Sequence, residues 1–295
     1  MDSNLLVRLD LSRKDFSKGQ RRIASYIEEH YDTAAFMTAA KLGEVVGVSE
    51  STVVRFATQI GYSGYPYLQK AMQEMIRDKL NSIQRIEVTT GRIGDGDVVE
   101  AVLNQDIDKI KRTIEEVSRE DFAASVEAIT RADHIYIFGV KSASHIANFF
   151  GYYLDLLFGN VTMLNSTSKT TTYEKLFRIT ERDVMIGISF PRYSTMAVDA
   201  MSFARDRGAE VIAITDSMIS PLVANADSVL LARSDIASVV DTLVAPLSLI
   251  NALLVAIVIK CKDRITDTLT DLEQVWKEQN IYALGDTGAR TDERA

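Results

Sequence analysis

The sequence contains few residues of the kinds that build metal or redox centres. Cys261 is its one cysteine, which excludes an internal disulfide, a cysteine-based zinc site and a CxxC redox pair. The three histidines, His30, His134 and His145, are too scattered in the sequence to suggest a metal cluster. We therefore expect no metal ion and no cofactor.

Long apolar segments and nucleotide-binding motifs are also missing. The most apolar run, 243–259, contains Pro246 and Asn251 and is shorter than the roughly 20 uninterrupted apolar residues that cross a bilayer. The opening residues, MDSNLLVRLD, lack the apolar segment of a signal peptide. Neither GxxxxGK[ST] nor GxGxxG follows a predicted strand, which weighs against nucleotide-dependent chemistry. We expect a cytoplasmic protein with no membrane partner.

Charge is unevenly distributed along the 295 residues, a length that suits two domains of unequal size. Residues 1–80 hold 11 basic and 10 acidic side chains, and the remainder holds 22 and 31, for a net charge of −8. Phosphate groups would be repelled by the acidic remainder, so any contact with DNA belongs to the N-terminal part.

The stretch 39–58, AAKLGEVVGVSESTVVRFAT, has the pattern of a helix-turn-helix. Apolar residues recur at helical spacing on both sides of a central glycine, with Leu42 in the first helix and Phe56 in the second. Gly47 suits a tight turn that requires a positive φ. Gly43 is small where two crossing helices would approach closely.

The second helix of this motif would expose short hydroxyl side chains and one arginine, a set suited to reading a DNA major groove. A helix hairpin that packs against another surface has the same apolar pattern, but the basic flanks and the charge contrast favour DNA binding. The candidate DNA-contacting residues are Thr38, Lys41, Ser49, Glu50, Ser51, Thr52, Arg55, Gln59, Tyr62 and Lys70.

Helical and strand patterns divide the rest of the chain. Other helices are expected near 17–31, 67–80 and, as two helices divided near 118–121, over 98–130. A glycine-rich linker is expected at 81–97. From residue 134, short apolar runs alternate with helical segments, which predicts a parallel sheet covered on both faces. Its five strands are expected at 135–139, 161–164, 184–189, 210–215 and 228–232.

A long apolar helix is expected at 241–261, and a polar, disordered tail after about residue 281. The predicted domains are therefore a helix-turn-helix DNA-binding domain over 1–80, a linker over 81–97, an effector-binding and oligomerisation domain over 98–282 and a tail over 283–295.

Hydroxyl-rich loops follow the first three predicted strands, at the sheet edge where open parallel sheets bind ligands. Two of the loops lead into helix N-termini, where backbone N–H groups favour an anion, and two cationic side chains lie in an otherwise acidic domain. Serine and threonine at such positions are most often simple helix caps, but three such loops together favour an anionic ligand. The candidate effector-binding residues are Lys141, Ser142, Ser144, Ser166, Thr167, Ser189, Arg192, Tyr193, Ser194 and Thr195.

The run FMTAAKLGEVVGVSESTVVRFATQIGYSGYPYLQ resembles the N-terminal domain of the RpiR-type bacterial transcription regulators. Residues from about 125 to 265 resemble the SIS (sugar isomerase) domain of such regulators. The resemblance implies an all-α helix-turn-helix domain and a three-layer α/β domain with a flavodoxin-like, five-stranded parallel sheet. It also implies a homodimer or homotetramer formed through the SIS domains. Such a protein would bind a palindromic double-stranded operator and respond to a sugar phosphate or related anionic metabolite.

The ligand loops depart from the usual SIS pattern in two places. SIS domains commonly have Gly-x-Gly-x-Ser after the first strand, and here Lys141 replaces the second glycine. They commonly have Ser-x-Ser-Gly-x-Thr after the third strand, and here Pro191 and Arg192 replace Ser-Gly. Pro191 has no N–H to donate, and Arg192 could replace the lost donors with a bidentate grip on phosphate or carboxylate.

Two functions remain open from the sequence. The favoured one is a metabolite-controlled transcription regulator of a carbohydrate or related operon, with no catalytic residues. The alternative is a sugar-phosphate isomerase with an accessory N-terminal helical domain. Isomerisation needs a positioned base, and the three loops contain neither glutamate nor histidine, although Glu273 could reach a site from a second protomer.

Overall fold

The structure, a computed structural model, describes residues 5–76, 86, 96–234, 240–279 and 281–282. The predicted tail and nearly all of the predicted linker lie outside these residues. The chain divides into two compact units. The first comprises Met1–Asp108, Phe190–Tyr193 and Ser234–Thr242, and the second comprises Lys109–Ser189, Ser194–Arg233 and Leu243–Ala295.

The N-terminal part of the first unit is helical. Its helices are α1 (Leu5–Ser12), α2 (Lys18–Ala34), α3 (Ala39–Val46), α4 (Glu50–Gln59) and α5 (Tyr65–Ile76), with a short 3-10 helix at Arg13–Asp15. The predicted bounds of α3 and α4 are confirmed. α1 was not predicted from the sequence. α5 begins two residues before its predicted start, with Pro66 at its second position, where the missing N–H costs nothing.

One apolar core holds these helices together. Its fully buried members come from every helix of the group, including Leu9, Ile27, Leu42, Phe56 and Leu68. Phe16, which precedes α2, packs its ring 5.2 Å from that of Phe56, centroid to centroid. This core fixes α4 by its inner face, so the outer face of α4 is oriented by packing.

Tyr65 shows how polar groups are accommodated beside this core. Its hydroxyl donates to the carbonyl oxygen of Met37 at 2.8 Å, next to the start of α3. Burial raises the pKa of Tyr65 to about 12, because the phenolate would lose its hydration. The hydroxyl therefore stays a donor throughout the physiological range and ties α5 to the segment before α3.

The second unit contains a five-stranded, all-parallel sheet with strand order β2-β1-β3-β4-β5. This is the flavodoxin-like order, and it confirms the predicted sheet. Every strand lies within one residue of its predicted bounds. The strands are β1 (Ile135–Phe138), β2 (Val161–Leu164), β3 (Val184–Ile188), β4 (Glu210–Thr215) and β5 (Ser228–Leu231).

Helices flank the strands in the sequence of this unit. They are α7 (Arg119–Arg131), α8 (Ala143–Phe158), α9 (Lys169–Leu176), α10 (Thr195–Asp206), α11 (Val244–Lys260) and α12 (Lys262–Glu278), and α6 (Val98–Glu116) precedes them. The boundary between the two units falls within α6. The polar stretch after β2 was expected to be a loop, but α9 begins there, capped by the Ser168 hydroxyl, which accepts from the Thr171 N–H.

The longest apolar helix, α11, belongs to the core of the second unit. Leu249, Ile250, Leu253 and Ile257 are all buried. In the part of the chain that the structure describes, no single helix is long and apolar enough to cross a membrane, and α11 passes such a test only jointly with α12 across a 99° bend.

We expect Gly43→Ala to destabilise the α3–α4 pair. A Cβ at this position would lie 2.8 Å from the carbonyl oxygen of Val48 and 3.3 Å from the backbone nitrogen of Glu50. Alanine would gain about 1 kcal/mol of helix propensity, but forcing the backbone apart costs about 1–3 kcal/mol, so we expect a net loss.

Amide hydrogen exchange of the full chain, read over α3 and α4, measures this loss locally. The matched control is Val45→Ala, since Val45 is 44% exposed on the same helix and its truncation should change stability by less than about 0.5 kcal/mol. Equal protection in the two variants would show that the turn tolerates a side chain at residue 43.

Candidate functional site

The turn between α3 and α4 is fixed by backbone geometry. Thr38 caps α3 by accepting from the Lys41 N–H at 3.1 Å. Gly47 ends α3 in the left-handed conformation, with φ of 69°, where a β-carbon would be strained. The following N–H, of Val48, donates to the Gly43 carbonyl oxygen at 2.8 Å. The chain thereby reverses between two helices within three residues, as a helix-turn-helix requires.

Ser49 directly precedes α4 but does not cap it with its side chain. Its hydroxyl instead contacts the hydroxyls of Ser51 at 3.0 Å and Thr52 at 2.8 Å. Three short polar side chains therefore form one cluster at the N-terminal end of the helix, the end that enters a major groove in helix-turn-helix proteins.

The outer face of α4 presents the residues predicted to read DNA. Val53, Phe56 and Ala57 are buried on the inner face. Ser51 and Arg55 are exposed on the other, and the Arg55 Nε donates to the Ser51 carbonyl oxygen at 3.3 Å. The guanidinium is thus held along the helix surface with further N–H groups to offer, which suits a bidentate contact with guanine.

The remaining DNA-contact candidates differ in their exposure and in their hydrogen-bond or ion-pair partners. Glu50 and Lys70 are exposed, and Lys41 is paired with Glu44 at 3.0 Å on the surface of α3. The Gln59 amide donates to the Asp15 carbonyl oxygen at 3.1 Å, so that side chain also anchors the end of α4.

Tyr62 is partly buried against the N-terminal core, and it sits under a cation. The Arg8 guanidinium lies 4.8 Å from the centre of its ring, and Arg8 also donates to the Gly61 carbonyl oxygen at 2.9 Å. This placement gives Tyr62 a packing role in addition to the DNA contact predicted for it.

α2 presents a basic surface whose residues are not among the DNA-contact candidates predicted from the sequence. Lys18, Arg21 and Arg22 line a surface groove that also includes Val46 of α3. The Arg22 guanidinium donates to the Gly47 carbonyl oxygen at the turn. No local spacing could have revealed this contact, because the two residues are 25 positions apart and come together only through the core.

The polar loops of the second unit meet where the sheet reverses its order. β1 pairs with β2 on one side and with β3 on the other, and Phe138 is in register with Gly187 of β3. The carboxyl ends of β1 and β3 therefore lie side by side, at the topological switch point where open α/β sheets bind ligands.

The loop after β1 is tightly wound. Gly139 leaves no room for a Cβ, which would lie 2.9 Å from the Ala143 carbonyl oxygen. Lys141 follows with φ of 55°, a left-handed conformation that favours glycine. Its carbonyl oxygen accepts from the Ser144 N–H at 3.1 Å and from the Ser144 hydroxyl at 2.6 Å. Ser142 directly precedes α8. The exposed Lys141 side chain and the start of α8 are thus fixed beside the β1 terminus.

The loop after β3 is tied to the sheet by two serines. Ser189 is buried, and its hydroxyl accepts from the Ser194 N–H at 3.0 Å. The Ser189 carbonyl oxygen accepts from the Thr215 hydroxyl at 2.9 Å. Ser194 in turn caps α10, whose first residue is the exposed Thr195. These contacts give Ser189 and Ser194 structural roles at the position where a ligand was predicted.

Between those two serines, the segment Phe190–Tyr193 belongs to the first unit. Its Phe190 and Pro191 are buried, Tyr193 is partly buried and Arg192 is exposed. Along the chain, Arg192 is three residues from Ser189 and two from Ser194.

The loop after β2 leads into α9. The Ser166 hydroxyl accepts from the Ser168 N–H at 3.1 Å, and Thr167 is exposed. Lys169, the first residue of α9, pairs with Asp199 of α10 at 2.9 Å. The hydrogen bond to Asp199 and its charge raise the pKa of Lys169. The loop after β2 therefore contributes hydroxyl groups at the carboxyl ends of the strands, while the Lys169 ammonium is already paired with Asp199 of the same unit.

Metal-ligand geometry does not occur among the described residues, where no three His, Cys, Asp or Glu side chains are grouped as a metal ion would require. The side chains of the loops after β1, β2 and β3 include hydroxyl, amide, ammonium and guanidinium groups, all of which can donate hydrogen bonds to an anion.

Two family models match the chain in consecutive segments. Residues 3–79 match the helix-turn-helix domain of the rpiR family, and residues 128–256 match the SIS domain. These segments contain the turn at Gly47 and the switch point between β1 and β3.

Relatives and solved structures agree with this arrangement. The chain is 25% identical over 236 residues to an uncharacterized HTH-type transcriptional regulator of Haemophilus influenzae, covering 77% of this chain and 79% of the relative. A similar regulator of Caldanaerobacter subterraneus is 24% identical over 277 residues, covering 90% and 94%.

Among solved structures, the Vibrio vulnificus NanR protein complexed with ManNAc-6P shares the fold at 22% identity, with a TM-score of 0.58, covering 95% of this chain and all of that chain. The sugar isomerase domain of the RpiR transcription factor from Sphaerobacter thermophilus is 31% identical, with a TM-score of 0.57, covering 60% of this chain and 98% of that chain. With both domain models in order along the sequence, the chain belongs to the RpiR family of transcription regulators, with an rpiR-type helix-turn-helix domain followed by a SIS domain.

Proposed function

We propose that this regulator reads its operator with α4 and changes its affinity for DNA when an anionic metabolite binds at the β1–β3 switch point. The observation that carries the first half is the outer face of α4, where the Ser49, Ser51 and Thr52 hydroxyls and the Arg55 guanidinium are exposed or partly exposed above a fully packed inner face. Hydroxyls and arginine are the side chains that contact base edges and phosphates.

The proposal that an anionic metabolite binds at the switch point rests on Lys141. A non-glycine residue in the left-handed region costs about 1–2 kcal/mol, yet here a lysine holds that conformation at the switch point. A lysine whose backbone is strained at this position is explained if its ammonium group contributes to binding an anion. NanR, which shares the fold, has been determined with ManNAc-6P, and a phosphorylated sugar or sugar acid is the ligand class that we propose here.

We propose a homo-oligomer, a dimer or a tetramer, acting on a palindromic operator. Two helix-turn-helix modules related by a twofold axis bind half-sites about 34 Å apart, roughly one turn of DNA. A small rotation between protomers would change that separation, so a metabolite that shifts it would alter operator affinity. As a regulator of DNA, the protein would act in the cytoplasm.

We propose that the chain is not an isomerase. Two relatives that match it over most of their length are named HTH-type transcriptional regulators. The loops after β1, β2 and β3 contain no glutamate or histidine to move a proton between carbons. His145 is exposed on α8, beyond the β1 loop.

Arg55→Ala should weaken binding to operator DNA by about 10- to 100-fold, because a bidentate contact with guanine contributes about 1–3 kcal/mol of discrimination. Operator sequences can be selected from random duplexes with the wild-type chain, and affinity measured by fluorescence anisotropy. Arg119→Ala removes the same charge from an exposed position of α7 and serves as the matched control. A mutant that retained wild-type discrimination between operator and random DNA would show that Arg55 does not read bases.

Lys141→Gly and Lys141→Ala should separate backbone strain from charge. The glycine variant relieves the left-handed strain and the alanine variant retains it, so we expect the glycine variant to unfold about 2–4 °C above the alanine variant. Both variants lose the ammonium and should bind the anionic effector more weakly than wild type. Calorimetry gives the unfolding temperatures, and effector binding unchanged in both variants would place Lys141 outside the site.

Arg192→Ala should abolish the effect of the metabolite on DNA binding and leave the affinity of the metabolite-free protein unchanged. The effector would first be found by thermal-shift screening of sugar phosphates, sugar acids and inositol derivatives. Arg182→Ala is the control, because Arg182 lies before β3, at the opposite edge of the sheet, and pairs with Asp133. An Arg192→Ala variant that binds effector with wild-type affinity would exclude Arg192 from the site.

A further inference from the structure

The exposed face of α4, the proposed reading helix, includes one residue without a polar group, Val54. Val54 lies on α4 and is 40% exposed, between Val53, which is fully buried, and Arg55. Its neighbours along the helix surface are Ser51, one turn before it, and Thr58, one turn after it. An apolar side chain therefore sits within the polar face that α4 presents.

The core of the first unit does not account for Val54. Among the described residues, the apolar side chains packed against that core include Val46 and Val48 but not Val54. Alanine would be about as well exposed at this position and has a higher helix propensity than valine. Neither packing nor helix formation in the described chain explains a β-branched side chain here.

The groups around Val54 leave its methyls accessible. Thr58 turns its hydroxyl back to the Val54 carbonyl oxygen at 3.3 Å, and Arg55 turns its Nε back to the Ser51 carbonyl oxygen at 3.3 Å. Both polar neighbours therefore lie along the helix. Because valine has one strongly preferred χ1 rotamer in a helix, the direction of its two methyls is fixed before binding.

We propose that Val54 is a specificity-determining residue that contacts the C5-methyl group of a thymine in each operator half-site. Among the groups that base pairs expose in the major groove, this methyl is the apolar one. The inference rests on the proposed function, since it requires α4 to be the reading helix. Val54 would then select T·A at one position, next to the position that Arg55 reads.

Replacing thymine by deoxyuridine tests the contact, because this change removes only the C5-methyl group. In an operator selected by the full wild-type chain, each thymine is replaced in turn. Wild type should lose about fourfold in affinity at one position of each half-site, the equivalent of one buried methyl group. With Val54→Ala that loss should disappear at the same position, while the effects of other replacements stay as in wild type.

Two further variants sharpen the comparison. Val54→Thr keeps one methyl and the shape of the side chain, so it should retain part of the loss. Val45→Ala truncates a similarly exposed valine on α3 and should give the wild-type profile. Circular dichroism checks that each variant has the wild-type helix content.

Arg55→Ala on the same DNA distinguishes the two ways of failing. If Arg55→Ala binds the operator as wild type does, α4 is not the reading helix and the proposed reading mode falls together with the role of Val54. If Arg55→Ala binds weakly but Val54→Ala has the wild-type deoxyuridine profile, the role of Val54 alone is overturned. A wild-type protein insensitive to every deoxyuridine replacement would overturn it as well.

Discussion

The pairing of β1 with β3 is the constraint on which the candidate site of the second unit depends. Because the chain leaves β1 to form β2 on one side and returns to form β3 on the other, the loops that follow β1 and β3 open at the same point of the sheet edge. Buried strands of Val, Ile and Leu hold this arrangement in place, so the loop residues are free to be polar. The Thr215 hydroxyl donates a hydrogen bond to the Ser189 carbonyl oxygen and so joins the ends of two neighbouring strands, β4 and β3.

The N-terminal helices likewise separate buried apolar residues, which fix the fold, from exposed polar residues, which are free to vary. The inner face of α4 is committed to the core through Val53 and Phe56, and the turn before it is set by backbone hydrogen bonds around Gly43 and Gly47. Since both the position and the rotation of α4 are fixed by apolar packing, its outer side chains can vary without loss of the fold. If α4 reads the operator as proposed, substitutions on this face would change the DNA sequence preference and leave the core intact.

Most elements with strong apolar periodicity were predictable from the sequence, and the exceptions share a cause. α1 is a short helix whose burial depends on Leu5 and Leu9 meeting residues far along the chain. α9 has the sequence KTTTYEKL, whose threonines disfavour a helix, and it forms because Ser168 caps it and Leu176 is buried. At the site, the types of residue were predictable but their contacts were not. Arg22 reaches the turn at Gly47, and Gln59 reaches Asp15, only because tertiary packing brings distant segments together.

The two departures from the usual SIS loop pattern act in the same direction. At Lys141 the backbone keeps the left-handed conformation that a glycine would adopt, so the loop geometry is retained while a cation is added. At residues 191 and 192 a backbone donor is lost with proline and a guanidinium is gained. The first change adds a positive charge without loss of a backbone donor, and the second adds one next to the position where a donor is lost. Both lie in a part of the chain whose other charges are mainly acidic. Charge-assisted hydrogen bonds are roughly twice as strong as neutral ones, so an anion bound at the proposed site of the second unit would gain more from the Lys141 ammonium than from one further neutral donor.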